Sequence, residues 1–327
     1  MTAVLALSLC LATADPLDRP CVVIVVGASG APEYAAQFRQ SADRWQAAAQ
    51  KAGVESIRIG LSEQAGVTDR ERLKSILAEK AKAAPELVWI VLIGHGTYDG
   101  RDAKFNLRGP DMTDIELSEW LAPYKRPVVI INCASASGPF IPRLSGNNRL
   151  VVTATKSGYE TNFARFGQYL AEAITDEHAD LDKDGQVSLL EAFLTGSNRV
   201  EEYYRTHSQL ATEHSLLDDN GDRLGTPPTW FRGVRATQRA KDGAALDGIR
   251  AHQLHLVPSA RERAISAEVR QRRDQLELSI AALCDQKPKL GEEEYYVRLE
   301  KMMIELARLY RDMPKVAPSS SEHEHTH

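Results

Sequence analysis

The 327 residues show no strong excess of charge, few cysteines and no opening apolar run long enough for a membrane. Lys and Arg total 40 against 45 Asp and Glu, a net charge of -5. That balance gives no basic footprint for a phosphate backbone, so nucleic acid is not expected as a partner. The apolar stretch from Thr2 to Thr13 falls short of the ~20 residues a span needs, and no Lys or Arg precedes it. No transmembrane segment is expected. Ala12-Thr13-Ala14 instead fits a small-x-small cleavage site, so residues 1–14 read as a signal peptide and the protein as secreted or periplasmic. Leu9 is a poor neighbour for a lipidated Cys10. Loss of Cys10 with the signal leaves Cys21, Cys133 and Cys284, an odd set that predicts at least one free thiol. Cys21 and Cys284 could pair, though nothing in the sequence favours it. Gly27-Ala28-Ser29-Gly30 lacks both the Lys-Ser/Thr end and the G-x-G-x-x-G spacing of phosphate loops, and reads as a tight strand-to-helix turn.

Strand and helix patterns alternate from the start. Cys21–Val26 and Glu55–Gly60 read as strands, with helices over Tyr34–Ala52 and Thr68–Ala84, which argues for a parallel sheet covered on both faces. Two further apolar runs carry the chemistry. Leu87–Ile93 stops at Gly94-His95-Gly96-Thr97, and Pro127–Ile131 stops at Asn132-Cys133-Ala134-Ser135. Ligands in open α/β sheets bind beyond the carboxyl ends of strands, so His95 and Cys133 can meet over one crevice. A thiol needs a base or a positive field to act as a thiolate near neutrality, and imidazole can take and return the proton. The amides of Gly96 and Cys133 are candidate oxyanion donors. Asp99, Asp102 and Asp111 stand near His95 in sequence and are candidates to orient it.

The succession of apolar strand, His-Gly, helix, and apolar strand ending at Cys resembles the caspase-like cysteine peptidases, and within them the legumain-like branch, from Val22 to about Leu170. The resemblance implies a caspase-like, mostly parallel sheet with helices on both faces, and hydrolysis of peptide or protein substrates with Cys133 as nucleophile and His95 as base. Arg39 lies where legumains carry an Arg-containing segment, and the resemblance makes it a pocket residue. In caspase-like enzymes the loop after this strand often contributes to substrate pockets, so the resemblance also makes Glu160 and Asn162, in the polar loop after Val151–Thr155, candidates for substrate contact. Ile131 stands where legumains have an acidic residue, and Ile131-Asn132-Cys133-Ala134-Ser135 replaces the Gln-Ala-Cys-x-Gly of caspases, so Asn or Asp specificity does not carry over. Legumain-like enzymes can also pass the acyl group to an amine, which adds peptide ligation. A catalytically silent, calcium-dependent binding protein on the same scaffold is the alternative of another class.

Asp180-Leu181-Asp182-Lys183-Asp184-Gly185-Gln186-Val187-Ser188-Leu189-Leu190-Glu191 matches an EF-hand calcium loop position by position. Asp180, Asp182 and Asp184 supply side-chain oxygens, Gln186 its backbone carbonyl, and Glu191 a bidentate close, with Gly185 at the sharp turn. Helices are expected on its flanks, over Phe166–His178 and Leu189–Tyr204. A second acidic loop repeats the first three ligand spacings with Asp218, Asn220 and Asp222, but has Arg223 for the glycine and Thr229 for the closing Glu. It reads as a degenerate partner packed on the first loop, without a calcium of its own. Glu213 and His214 fall on an expected helix, where adjacent residues diverge and make a poor metal pair.

The catalytic domain thus covers 20–175, the EF-hand and its degenerate successor 176–235, a helical module 236–313, and a disordered tail 314–327. In the module, Ser259–Cys284 and Glu292–Met313 form an expected helical hairpin, the first helix opened by a capping box of Ser259 and Glu262. Such a hairpin could make a self-contact, as a packing module or as a cover over the active site. His323, His325 and His327 in the tail could hold a metal weakly.

Overall fold

The computed structural model describes residues 20–62, 66–83 and 87–313; the expected signal peptide, Cys10 and the tail with its three histidines lie outside them. β1 (Cys21–Val26), α1 (Pro32–Ala52), β2 (Glu55–Ile59), α2 (Asp69–Ala83) and β3 (Val88–Ile93) follow in alternation. A small antiparallel sheet of β4 (Gly96–Tyr98), β5 (Ala103–Phe105) and β6 (Met112–Thr113) leads to α3 (Asp114–Leu121) and β7 (Val128–Asn132). Then come α4 (Phe140–Leu144), β8 (Arg149–Thr153), α5 (Phe166–Ala173), α6 (Leu189–Thr206) and β9 (Leu216–Asp218).

The main sheet has the order β2-β1-β3-β7-β8-β9, parallel throughout except for β9 along β8. Every residue of β1, β3 and β7 is buried, as central strands covered on both faces must be. Side chains alternate between two cores. Val129, Ile131 and Cys133 join the residues of α1, α5 and α6, while Val128 and Ile130 join those of α2, α3 and α4. Trp45 of α1 packs on Trp89 of β3 with ring centroids 6.5 Å apart. From β1 the chain steps outward to β2 and then crosses back to β3, so the ends of β1 and β3 flank the topological switch point.

The remainder departs from the sequence reading in several places. α5 ends at Ala173, and a single 3-10 turn over Glu177–Ala179, capped by Asp176, replaces the rest of the expected helix. The segment expected as a separate EF-hand unit is built into the body, because α6 packs along α5 and β9 adds a strand to the sheet. Glu213 is extended, not helical: its buried carboxylate accepts the amides of Arg165 at 2.8 Å and Phe166 at 2.9 Å, satisfying the start of α5. Burial pushes the Glu213 carboxyl up, against those two amides.

Beyond a short hairpin of β10 (Phe231–Arg232) and β11 (Arg235–Ala236) lie α7 (Ile249–Gln253), α8 (Ala260–Ala264), α9 (Ala267–Gln286) and α10 (Glu292–Asp312). The expected single helix from Ser259 is thus broken. Ile265 is extended and Ser266 starts α9 afresh by accepting the amide of Val269. Ser259 caps α8 as expected, but Glu262 pairs with Arg273 at 2.7 Å, so the capping box stays open. α9 and α10 form the antiparallel hairpin, with Leu276 and Leu283 buried and Met303 48% exposed. Cys21 and Cys284 are both free, Cys21 wholly buried within β1. Among the described residues no helix is long and apolar enough to cross a membrane.

Candidate functional site

His95 follows β3 and Cys133 follows β7, the neighbouring strand. Both lie on the α1 and α5 side, beside the same two phenyl rings. Phe38 of α1 and Phe163, just before α5, line the small pocket that contains Cys133, and their rings stand 5.2 and 6.0 Å from that of His95. Tyr34 adds an edge contact at 4.9 Å. The partner of His95 is a backbone oxygen: Nε2 lies 3.2 Å from the carbonyl of Ser29. A carbonyl only accepts, so in this contact Nε2 is the donor. Asp99 and Asp111 instead accept local backbone amides. Ser29 ends the turn after β1 and belongs to the same crevice, a rule that would have found it.

Cys133 is only 4% exposed. Its pocket, about 20 Å³, holds one water at most. Gly167 of α5 presses on it so closely that a Cβ there would come within 2.9 Å of Sγ. Burial pushes the Cys133 thiol up to about 12. Among the described residues no hydrogen bond joins it to His95. The two amides nominated for the oxyanion are engaged elsewhere, which corrects that expectation for this conformation. Gly96 N–H donates to Ser135 Oγ at 3.2 Å, Ser135 Oγ donates to Gly96 O at 3.1 Å, and Cys133 N–H donates to Leu92 O at 2.9 Å.

The three substrate candidates lie away from this pocket. Arg39 is exposed, one residue and ~100° around α1 from the inward Phe38. From α1 the pocket takes Gln37, Phe38 and Ser41 instead. Glu160 is a loop clamp: its carboxylate accepts the Lys156 amide at 2.9 Å and meets His214 Nδ1 at 2.5 Å, and its carbonyl accepts the Ala136 amide. Asn162 is exposed and outside the lining.

The first acidic loop gathers its carboxylates. Oxygens of Asp180, Asp182 and Asp184 lie within 4.8 Å of one another, and Asp182, Glu191 and His252 form a second such group. Lys183 at φ 63° and Gly185 at φ 89° bend the chain. Asp180 accepts the amides of Lys183 at 2.7 Å and Gly185 at 3.0 Å. Glu191 Oε1 accepts those of Leu181 and Asp182, and Oε2 accepts the amide and hydroxyl of Ser188, closing the capping box of α6. Gln186 donates from its side chain to Asp184 at 3.1 Å and accepts the Ser259 amide at 3.0 Å. Burial pushes the Asp184 carboxyl up; Gln186 opposes this, and the charges of Asp182 and Glu191 add to it. A set of convergent oxygens suits a hard cation such as Ca2+. His252 of α7, 3.0 Å from Asp182, reaches the loop across a separation of 70 residues, with no local signal to announce it.

No family model matches the chain, and no curated protein does. Among solved structures it is similar to the Drosophila initiator caspase Dronc, at 14% identity over 64% of this chain and 83% of that one, with a TM-score of 0.42. It is also similar to caspase-1 from Spodoptera frugiperda, at 12% identity over 61% and 86%, with a TM-score of 0.41. Likeness at this level says nothing of this chain's chemistry.

Proposed function

We propose that the protein is an exported, calcium-binding cysteine endopeptidase in a closed conformation, with Cys133 as nucleophile and His95 as base. The observation that carries this reading is the seating of both side chains at adjacent strand ends, on one side of the sheet, beside Phe38 and Phe163. With Nε2 held by Ser29, Nδ1 is the nitrogen that takes the thiol proton. Sγ then attacks the peptide carbonyl carbon, the C–N bond breaks as the imidazolium returns the proton to the leaving amine, and water releases the acyl group. Turnover requires the Phe163–Gly167 segment to lift from Cys133 and Ser135 to release the Gly96 amide. Calcium on the first loop acts from the far end of α5 and α6. The C-terminal hairpin makes its self-contact beside that loop: Glu277 of α9 accepts Gln253 of α7, and both line one cavity with Asp182 and Asp184. Among the described residues no hydrogen bond or ion pair joins the hairpin to His95 or Cys133.

The second reading, a silent calcium-dependent binding protein, is favoured by the buried thiol and the engaged amides. A fluorogenic peptide library separates the two. Cleavage by the full chain that is lost in Cys133→Ala supports the peptidase, and calcium and chelator arms show whether the loop controls it. No cleavage by folded protein in either arm leaves the binding protein.

A further inference from the structure

The second acidic loop repeats much of the hydrogen bonding of the first. At its first position Asp218 Oδ1 accepts the Gly221 amide at 2.9 Å, as Asp180 accepts that of Lys183. Asn220 accepts the Asp222 amide and Asp222 that of Leu224, as Asp182 and Asp184 accept those of Asp184 and Gln186. Gly221 and Arg223 take the left-handed conformation at φ 81° and 73°, in the places of Lys183 and Gly185. The closing carboxylate is supplied from elsewhere. Asp247 Oδ1 accepts the amides of Asp219 and Asn220, and Oδ2 accepts the hydroxyl of Thr226. Those donors hold the second, third and ninth positions, the ones that Leu181, Asp182 and Ser188 hold against Glu191.

Two carboxylate oxygens in the second loop have no hydrogen-bond partner. Asp218 is wholly buried, and its Oδ2 is unpartnered, as is the buried Oδ2 of Asp222. In the first loop the equivalent oxygen of Asp180 takes the Gly185 amide; here the Arg223 amide turns to Ser145 Oγ at 3.1 Å. Burial pushes the Asp218 carboxyl up, and the nearby Ser145 hydroxyl and the Gly221 amide oppose it. Buried carboxylate oxygens without donors are costly, and a bound cation is a group that would satisfy them.

We propose that Asp218, Asn220 and Asp222 hold a second divalent cation, of the calcium class, closed by Asp247 in place of the missing twelfth-position Glu. The assignment rests on reading the first loop as a calcium loop, and the test keeps the two apart. Calcium alone is titrated calorimetrically into the chelator-stripped full chain, to about 5 mM because weak sites of this type reach the millimolar range. The wild type binds two ions per chain. Glu191→Gln and Asp222→Asn each bind one, and the double variant binds none. Asp222→Asn is isosteric and keeps the Leu224 amide bond, and Asp218→Asn serves as a second variant should it unfold; circular dichroism in chelator checks both. Asp247→Asn weakens the second ion at least tenfold. One ion, lost in Glu191→Gln and kept in Asp222→Asn, overturns the proposal and leaves the first loop standing. One ion with the reverse pattern overturns the first-loop reading alone. No binding overturns both.

Discussion

Glu191 closes the first loop from its own twelfth position, on the first turn of α6, whereas Asp247 closes the second from 28 residues beyond the Asp219 amide that it accepts. The glycine has moved as well. Each loop needs two left-handed residues, at its fourth and sixth positions; the first puts glycine at the sixth and the second at the fourth. Surroundings explain the exchange. A Cβ at Gly221 would meet the carbonyl carbon of Gly146 at 3.0 Å, while one at Gly185 meets nothing within 4 Å. The loop is therefore specified by a set of amides that must be accepted and a set of angles that must be held. Linear position is one way to meet them. α7 links the two solutions, since Asp219 accepts the amides of Gly248 and Ala251 at its start while His252 near its end meets Asp182. The second loop accordingly packs beside residues 145–147 and α7, not as the degenerate partner set on the first loop that its sequence suggested.

The comparison can be broken hardest at the closing carboxylates. Glu191 is 1% exposed and accepts four hydrogen bonds, Asp247 accepts three. In chelator, Glu191→Ala should lower the unfolding free energy by about 3 kcal/mol and Asp247→Ala by about 2 kcal/mol, the cost of stranding buried donors. Urea titrations of the two variants give the order. Asp247→Ala without effect would mean that it closes nothing.

Much of this was legible in sequence where a contact is local or a pattern repeats. β1, β3 and β7 were plain because strands buried on both faces are apolar without alternation. The placement of His95 and Cys133 at neighbouring strand ends followed from the two apolar runs. The gathering of the Asp180, Asp182 and Asp184 carboxylates was legible, since those residues lie within one short loop, whereas the approach of His252 was not. Asp247 was not, because no spacing rule connects it to Asp218. The closure over Cys133 depends on Gly167 of α5, and the capture of the Gly96 amide on Ser135, both set by tertiary packing. The position of Arg39 off the Cys133 pocket has a sequence signal: Phe38, Ala42, Trp45 and Ala49 mark the inward stripe of α1, and Arg39 lies off it.

The loops also differ in what surrounds them, and pH sharpens that difference. The cavity beside the first loop contains His255, whose imidazole burial pushes down to about 4; the charge of Glu262 opposes the shift, His252 and Arg273 add to it, and Asp182 opposes it. Between about pH 6.5 and 4 the unfolded chain then binds a proton that the folded chain refuses, so stability falls as pH falls through this window, by on the order of 2 kcal/mol. Urea midpoints at the two ends of the window, for wild type and His255→Gln, measure it. The variant should lose that part of the acid sensitivity; an unchanged slope would place the sensitivity elsewhere.

The smallest effects fall on the exchanged glycines and test whether the two loops truly share one backbone. Gly185→Ala meets open space and costs only left-handed strain, about 1 kcal/mol. Gly221→Ala adds the approach to Gly146, raising the expected loss to about 1.5 kcal/mol. Arg223→Gly removes strain at the sixth position while adding freedom to the unfolded chain, two terms of about 1 kcal/mol that nearly cancel. Thermal melts of the three variants in chelator give the ranking. A loss in Arg223→Gly as large as that in Gly221→Ala would mean that the Arg223 side chain, and not the angle it holds, is what the second loop requires.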